Sequence, residues 1–127
     1  MNSYEAAAPD QTERTPFALA FDTVSSPTLS FARIDRGDET ILCVEGAFDA
    51  QSAPQIRSAL DAVVAEKRPE VAVDLSALSS IDSSGIGAVV SLYKRVRAQG
   101  GRVYVKGLHG QPLAIFRLLR LDRVLVS

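Results

Sequence analysis

Val71-Ala72-Val73-Asp74-Leu75 is the stretch that most restricts how this chain can fold. It is short, almost wholly apolar and rich in β-branched residues, which is the pattern of a strand in a sheet covered by helices. The segments on either side have the period of a helix. Before it, Ile56, Leu60, Val63 and Val64 fall on one helical face; after it, Ile86, Val89, Val90, Tyr93 and Val96 do the same. A strand set between two helices requires parallel neighbours in a layered α/β domain.

Local signals bound these elements. Ser52 with Gln55 has the spacing of a capping box, and Pro54 falls in the first turn, where proline is tolerated. Glu66-Lys67-Arg68-Pro69 stops the first helix. The second helix is expected from Ser83 to about Ala98, closed by Gln99-Gly100-Gly101. Upstream, Leu29, Phe31 and Ile34 precede the charged turn Asp35-Arg36-Gly37-Asp38, and Thr40-Ile41-Leu42-Cys43-Val44-Glu45 follows as a strand ending at Gly46, a hairpin pattern. Downstream come a strand at Arg102–Lys106, a helix opened by Pro112 and carrying Leu113, Ile115, Phe116 and Leu119, and a last strand at Val124-Leu125-Val126. The expected order is β-β-α-β-α-β-α-β, a mixed and mostly parallel sheet flanked by helices.

Residues 1–28 differ in character. They contain Pro9, Pro16 and Pro27, little periodicity, and one arginine against four acids. The pattern predicts a flexible acidic N-terminal arm ahead of a domain at 29–127; the alternation of Phe17, Leu19 and Phe21 leaves open an added edge strand. Over the 127 residues the formal charge is -1, so no global positive field draws the chain to nucleic acid or an anionic membrane. The single cysteine, Cys43, excludes an internal disulfide, and the single histidine, His109, argues against a histidine metal cluster. No apolar run approaches the roughly 18 residues of a membrane span, and the first residues lack a secretory signal pattern. A cytoplasmic protein, monomeric or weakly dimeric, without metal or cofactor, is the expectation.

The chemistry concentrates in Leu78-Ser79-Ser80-Ile81-Asp82-Ser83-Ser84-Gly85-Ile86-Gly87, which joins the apolar strand to the second helix. Ser83 or Ser84 stands at the N-cap, where free N–H groups and the helix dipole favour an anion. A phosphate on a serine here adds about -1.5 to -2 charge at pH 7 without melting the helix. The plainer reading of the same residues is an ordinary cap built on Asp82 and Ser83.

Residues from about 30 to 126 resemble a STAS domain, the fold of anti-sigma factor antagonists. The likeness rests on Val44-Glu45-Gly46-Ala47-Phe48-Asp49, Val73-Asp74-Leu75-Ser76, Ile81-Asp82-Ser83-Ser84-Gly85-Ile86-Gly87 and Gln99-Gly100-Gly101-Arg102-Val103. The resemblance implies a non-enzymatic antagonist that binds an anti-sigma factor serine kinase and frees a sigma factor. It implies phosphorylation of Ser83, release of the kinase, and restoration by a phosphatase. It places Asp49, Asp82, Ser83, Ser84 and Gly85 on the partner-binding surface. Other STAS domains are scaffold or sensor subunits of larger signalling or lipid-transport assemblies, and that alternative stays open, as does a small-ligand or nucleotide sensor. Two departures from the family pattern are the long N-terminal segment and the lack of a helix after the last strand.

Several other signals fall short. Gly85-Ile86-Gly87 lacks the third glycine of a dinucleotide loop, since position 90 is Val90, and no Walker lysine follows. Asp74 lacks the further acids that a receiver domain needs to hold Mg²⁺. Ser83, Asp82 and His109 have the residue types of a hydrolase triad, but adjacent Asp82 is poorly placed to orient a histidine and no G-x-S-x-G elbow exists. Cys43, between Leu42 and Val44, reads as a structural thiol. Arg117, Arg120 and Arg123 read as a solvated helix face or as a docking patch for an acidic partner.

Overall fold

The computed structural model describes residues 23–25 and 29–125. Among these residues, five strands lie side by side in chain order: β1 (Thr23–Ser25), β2 (Leu29–Arg36), β3 (Glu39–Phe48), β4 (Glu70–Ile81) and β5 (Arg102–Lys106). β1 pairs antiparallel with β2, and β2 antiparallel with β3. β3 and β4, then β4 and β5, are parallel, as the intervening helices α1 (Ala53–Ala65) and α2 (Ser83–Ala98) require. Helices α3 (Gly110–Leu118) and α4 (Asp122–Leu125) follow β5. The α/β class, the opening hairpin and the parallel strands after it are those expected.

One face of the sheet carries the core. Leu29, Phe31, Leu42, Val44, Val71, Val73, Leu75, Val103 and Val105 alternate along their strands and are buried. They join Ile56, Val63, Val89, Leu92, Val96, Phe116 and Leu125 in one cluster, so every helix buries its apolar side against that same core. Among the described residues the opposite face has partial cover only: Ala32, Ile41, Cys43, Asp74 and Tyr104 are half-buried, and Ile34 is 43% exposed. Ala72 is buried there because it is small and sits in register between Ile41 and Tyr104.

Three expectations are corrected. Of the expected strand Val124-Leu125-Val126, Val124 and Leu125 do not extend the sheet, and Val126 lies outside the described residues. Arg120 takes φ 62, the Leu121 N–H donates to Phe116 O, and the chain turns into α4, which drives Leu125 into the core. A helical turn buries Leu125 while leaving Arg123 and Val124 outside, which a strand covered on one face would not do for consecutive residues. The Ser52–Gln55 capping box does not form: the buried Ser52 hydroxyl donates to Ala47 O (2.8 Å) and accepts from the Asp49 N–H (2.9 Å), closing the turn after β3. The N-cap of α2 is neither Ser83 nor Ser84 but Asp82, in keeping with the plainer reading of that loop, because its carboxylate reaches two helix N–H groups. The strand suggested by Phe17, Leu19 and Phe21 lies outside the described residues; the edge strand seen is Thr23–Ser25.

Candidate functional site

The site is assembled where β4 hands over to α2, and Asp82 organises it. One carboxylate oxygen accepts from the N–H groups of Ser84 (2.8 Å) and Gly85 (3.2 Å), satisfying two of the donors that a helix start leaves open. The other oxygen accepts from the Ala50 N–H (3.3 Å), and the Asp82 N–H donates to Phe48 O (3.2 Å). The turn between β3 and α1 is thereby fastened to the first turn of α2. Gly85 makes the close approach possible: a Cβ there would stand 2.5 Å from Phe48 O and 2.7 Å from the Ile81 side chain.

Asp49 sits in the fastened turn. Its carboxylate accepts from the N–H groups of Gln51 and Ser52, both at 3.0 Å, and its carbonyl accepts from Ala53 N–H at 2.8 Å. The fold thus brings Asp49 and Asp82, 33 residues apart in the chain, to the two sides of Ala50. Ser83 is the first residue of α2 and is exposed. Its hydroxyl has no hydrogen-bond partner among the described residues. Ser84 is half-buried and borders a groove between α1 and α2, about 540 Å³ in volume, which also has Arg57, Gly87, Ser91 and Arg95 along it. The two arginines were not evident near the serines from sequence; Arg95 is already paired with Asp61 at 2.8 Å.

Gln111 is a site residue that the sequence did not single out. Its side-chain carbonyl accepts from Ile81 N–H (2.9 Å) and its amide donates to Ile81 O (3.0 Å), so α3 grips the strand one residue before Asp82. A glutamine at the start of a helix carries no signal of such a grip. His109 contacts the carbonyl of Ser76 at 2.7 Å and makes no bond to Ser83 or Asp82, so the triad geometry is absent. Asp74 accepts from Ser76 N–H (3.0 Å) and faces Lys106 across the sheet. Burial, and then the Asp74 charge, push the Cys43 thiol above its ordinary range. Arg117, Arg120 and Arg123 are exposed beside the exposed apolar residues Leu118, Leu119 and Val124.

Comparison with known proteins gives consistent findings. The model of the STAS domain family matches residues 32–126. The anti-sigma-B factor antagonist of Listeria monocytogenes is 26% identical over 88 residues, covering 69% of this chain and 77% of that relative. The anti-sigma-B factor antagonist of Bacillus subtilis is 29% identical over 82 residues, covering 65% of this chain and 74% of the relative. A crystal structure of an anti-sigma factor antagonist from Mycobacterium paratuberculosis superposes with a TM-score of 0.69 at 25% identity, over 80% of this chain and 87% of that one.

Proposed function

The chain belongs to the STAS domain family, and from that premise we propose that it is an anti-sigma factor antagonist controlled by phosphorylation of Ser83. The partner is an anti-sigma factor serine kinase, and a phosphatase reverses the modification. The observation that carries this reading is the division of labour at the start of α2. Asp82 holds the helix start and the neighbouring turn through three N–H groups, while the adjacent Ser83 hydroxyl is exposed and uncommitted. Modification of Ser83 leaves every one of those bonds in place.

The phosphate acts on the surface and leaves the fold unchanged. At the N-terminus of α2 a negative group is favoured by the helix dipole, so the domain tolerates it. A partner covering the same surface must bury a charge of about -1.5 to -2 beside the carboxylates of Asp82 and Asp49. Burying such a charge without cationic partners costs several kcal/mol, and a loss of about 2.7 kcal/mol is already a hundredfold in affinity. The surface for the partner is Asp49, Asp82, Ser83, Ser84 and Gly85. The role needs no catalysis and no cofactor from this chain, and its place is the cytoplasm with the kinase and sigma factor. No helix among the described residues is long and apolar enough to cross a membrane.

The test is peptide mapping of the protein from its native host, joined to binding measurements with the anti-sigma factor kinase encoded there. A phosphate on Ser83, Ser83→Ala binding that resists modification, and Ser83→Asp binding at least about thirtyfold weaker are expected. Equal kinase binding by all three forms overturns the assignment of the switch to Ser83.

A further inference from the structure

Among the described residues, the face of the sheet turned away from the helices has a hollow whose position matches the start of β1. It is about 220 Å³ in volume and lies over Ser30, Ala32, Cys43, Asp74 and Ser76. A cavity of about 150 Å³ is enough for a benzene ring, so this one has room for an aromatic side chain. Strand register fixes its location. Thr23 pairs with Ala32, Ala32 with Cys43, Cys43 with Asp74, and Asp74 with Lys106. The first residue of β1 therefore lies in the row that crosses the floor of the hollow.

The residues just before Thr23 are the sequence's aromatic alternation, Phe17-Ala18-Leu19-Ala20-Phe21. Period-2 spacing puts three large apolar side chains on one side of an extended segment. Reach is sufficient: Phe17 precedes Thr23 by six residues, about 20 Å when extended. Cys43 on β3 is two strands from β1, about 10 Å at ordinary strand spacing. The small residues Ala18 and Ala20 offer no bulk on the other side, as expected of a segment that lies flat on a sheet.

We propose that the open face is an intramolecular docking surface for the Phe17–Phe21 segment, with one phenylalanine ring seated in the hollow over Cys43. The segment then serves as the second layer of the domain, on the face opposite the proposed phosphorylation site. This placement is independent of the Ser83 reading.

The chain contains its own reporters, a single cysteine in the floor of the hollow and no tryptophan. The reaction rate of Cys43 with Ellman's reagent is compared between the unchanged chain and the full-length F17S/L19S/F21S variant at one pH. The variant is expected to react at least about tenfold faster, which corresponds to about 1.4 kcal/mol of protection by a closing equilibrium. Should the triple variant fold poorly by circular dichroism, F17W in the otherwise unchanged chain decides the matter: a blue-shifted emission, constant on dilution, is expected. Equal Cys43 rates in two folded proteins, or solvent-exposed F17W emission, overturn the proposal. Protection that fades on dilution assigns the face to a second copy of the chain and overturns it as well.

Discussion

Gly85 and Gly87 stand two residues apart in the same helix, and the structure predicts opposite outcomes when each becomes alanine. At Gly87 a Cβ meets nothing within 4 Å. The position is exposed and inside α2, so Gly87→Ala removes the backbone entropy cost of glycine and stabilises the domain by about 0.5–1 kcal/mol. At Gly85 the new carbon would stand 2.5 Å from Phe48 O, 2.7 Å from Ile81 Cγ1 and 3.0 Å from Phe48 Cγ. The nearest atom is a backbone carbonyl that also accepts from Asp82 N–H, so it cannot rotate aside without breaking that bond. Overpacking of this kind costs about 1–3 kcal/mol, more than the helix gain returns, and Gly85→Ala is destabilised by roughly 1–2 kcal/mol net. Urea denaturation at constant m-value measures both changes. In thermal melts each kcal/mol corresponds to roughly 3–5 °C for a domain of this size. A neutral Gly85→Ala would show that α2 can lift off Phe48 freely. A destabilised Gly87→Ala would show an unseen contact on its outer face; either result refutes the packing argument.

Three further outcomes follow from the same geometry. Asp82→Ala removes the acceptor for Ser84, Gly85 and Ala50 N–H groups and should cost about 1–2 kcal/mol by urea denaturation, whereas Ser83→Ala should be within ~0.5 kcal/mol of the unchanged chain. Gln111→Ala leaves both polar groups of Ile81 without their partner, for a loss of about 1–3 kcal/mol in the same assay. Arg33 donates to both Asp35 and Glu66; its hydrogen bonds hold both carboxyls below their ordinary range. Lowered carboxyl pKa values stabilise the fold above the unfolded pKa of about 4 and cease to do so as pH falls through the folded values. The stability gap between the unchanged chain and Arg33→Met should therefore be flat above about pH 5 and close on acidification; an equal gap at pH 3 and pH 7 would remove the ion pairs from the account.

Legibility in the sequence followed the strength of local signals. Helix α2 was bounded correctly at Ser83 and Ala98 because both ends carry chemistry, a polar cap and the pair Gly100-Gly101, where Gly100 takes φ +87. Strand β4 was read too short because its second half loses the period of two. Register shifts between Cys43 and Glu45 and between Gly46 and Ala47 leave Leu78 and Ile81 buried with exposed residues between them, which in sequence looks like a loop. In Val124-Leu125-Val126 three apolar residues fit either period, and for Val124 and Leu125 the need to fill the core beside Phe116 decides for a helix. In the site, the motif residues were legible, while the roles of Ala50 and Gln111 were not. Both act through long-range contacts that no local pattern encodes.

The arrangement around Asp82 sets what a switch at this position can do. The capping carboxylate is already engaged: Asp82 serves two N–H groups of α2 and a third from the turn after β3. A phosphate on Ser83 finds those donors occupied. Remodelling the helix start would require it to displace a carboxylate from three bonds, whose loss together costs about 1–2 kcal/mol. An added dianion beside that carboxylate gains less by entering the cap than by staying in water, since entry brings like charges together. The fold on either side is pinned as well, by Gln111 on Ile81 and by Gly85 against Phe48. A modification at Ser83 is thus confined to altering the charge of a rigid surface. A rigid surface with a changeable charge discriminates by repulsion, so the information passes to whatever protein covers it and not through the sheet.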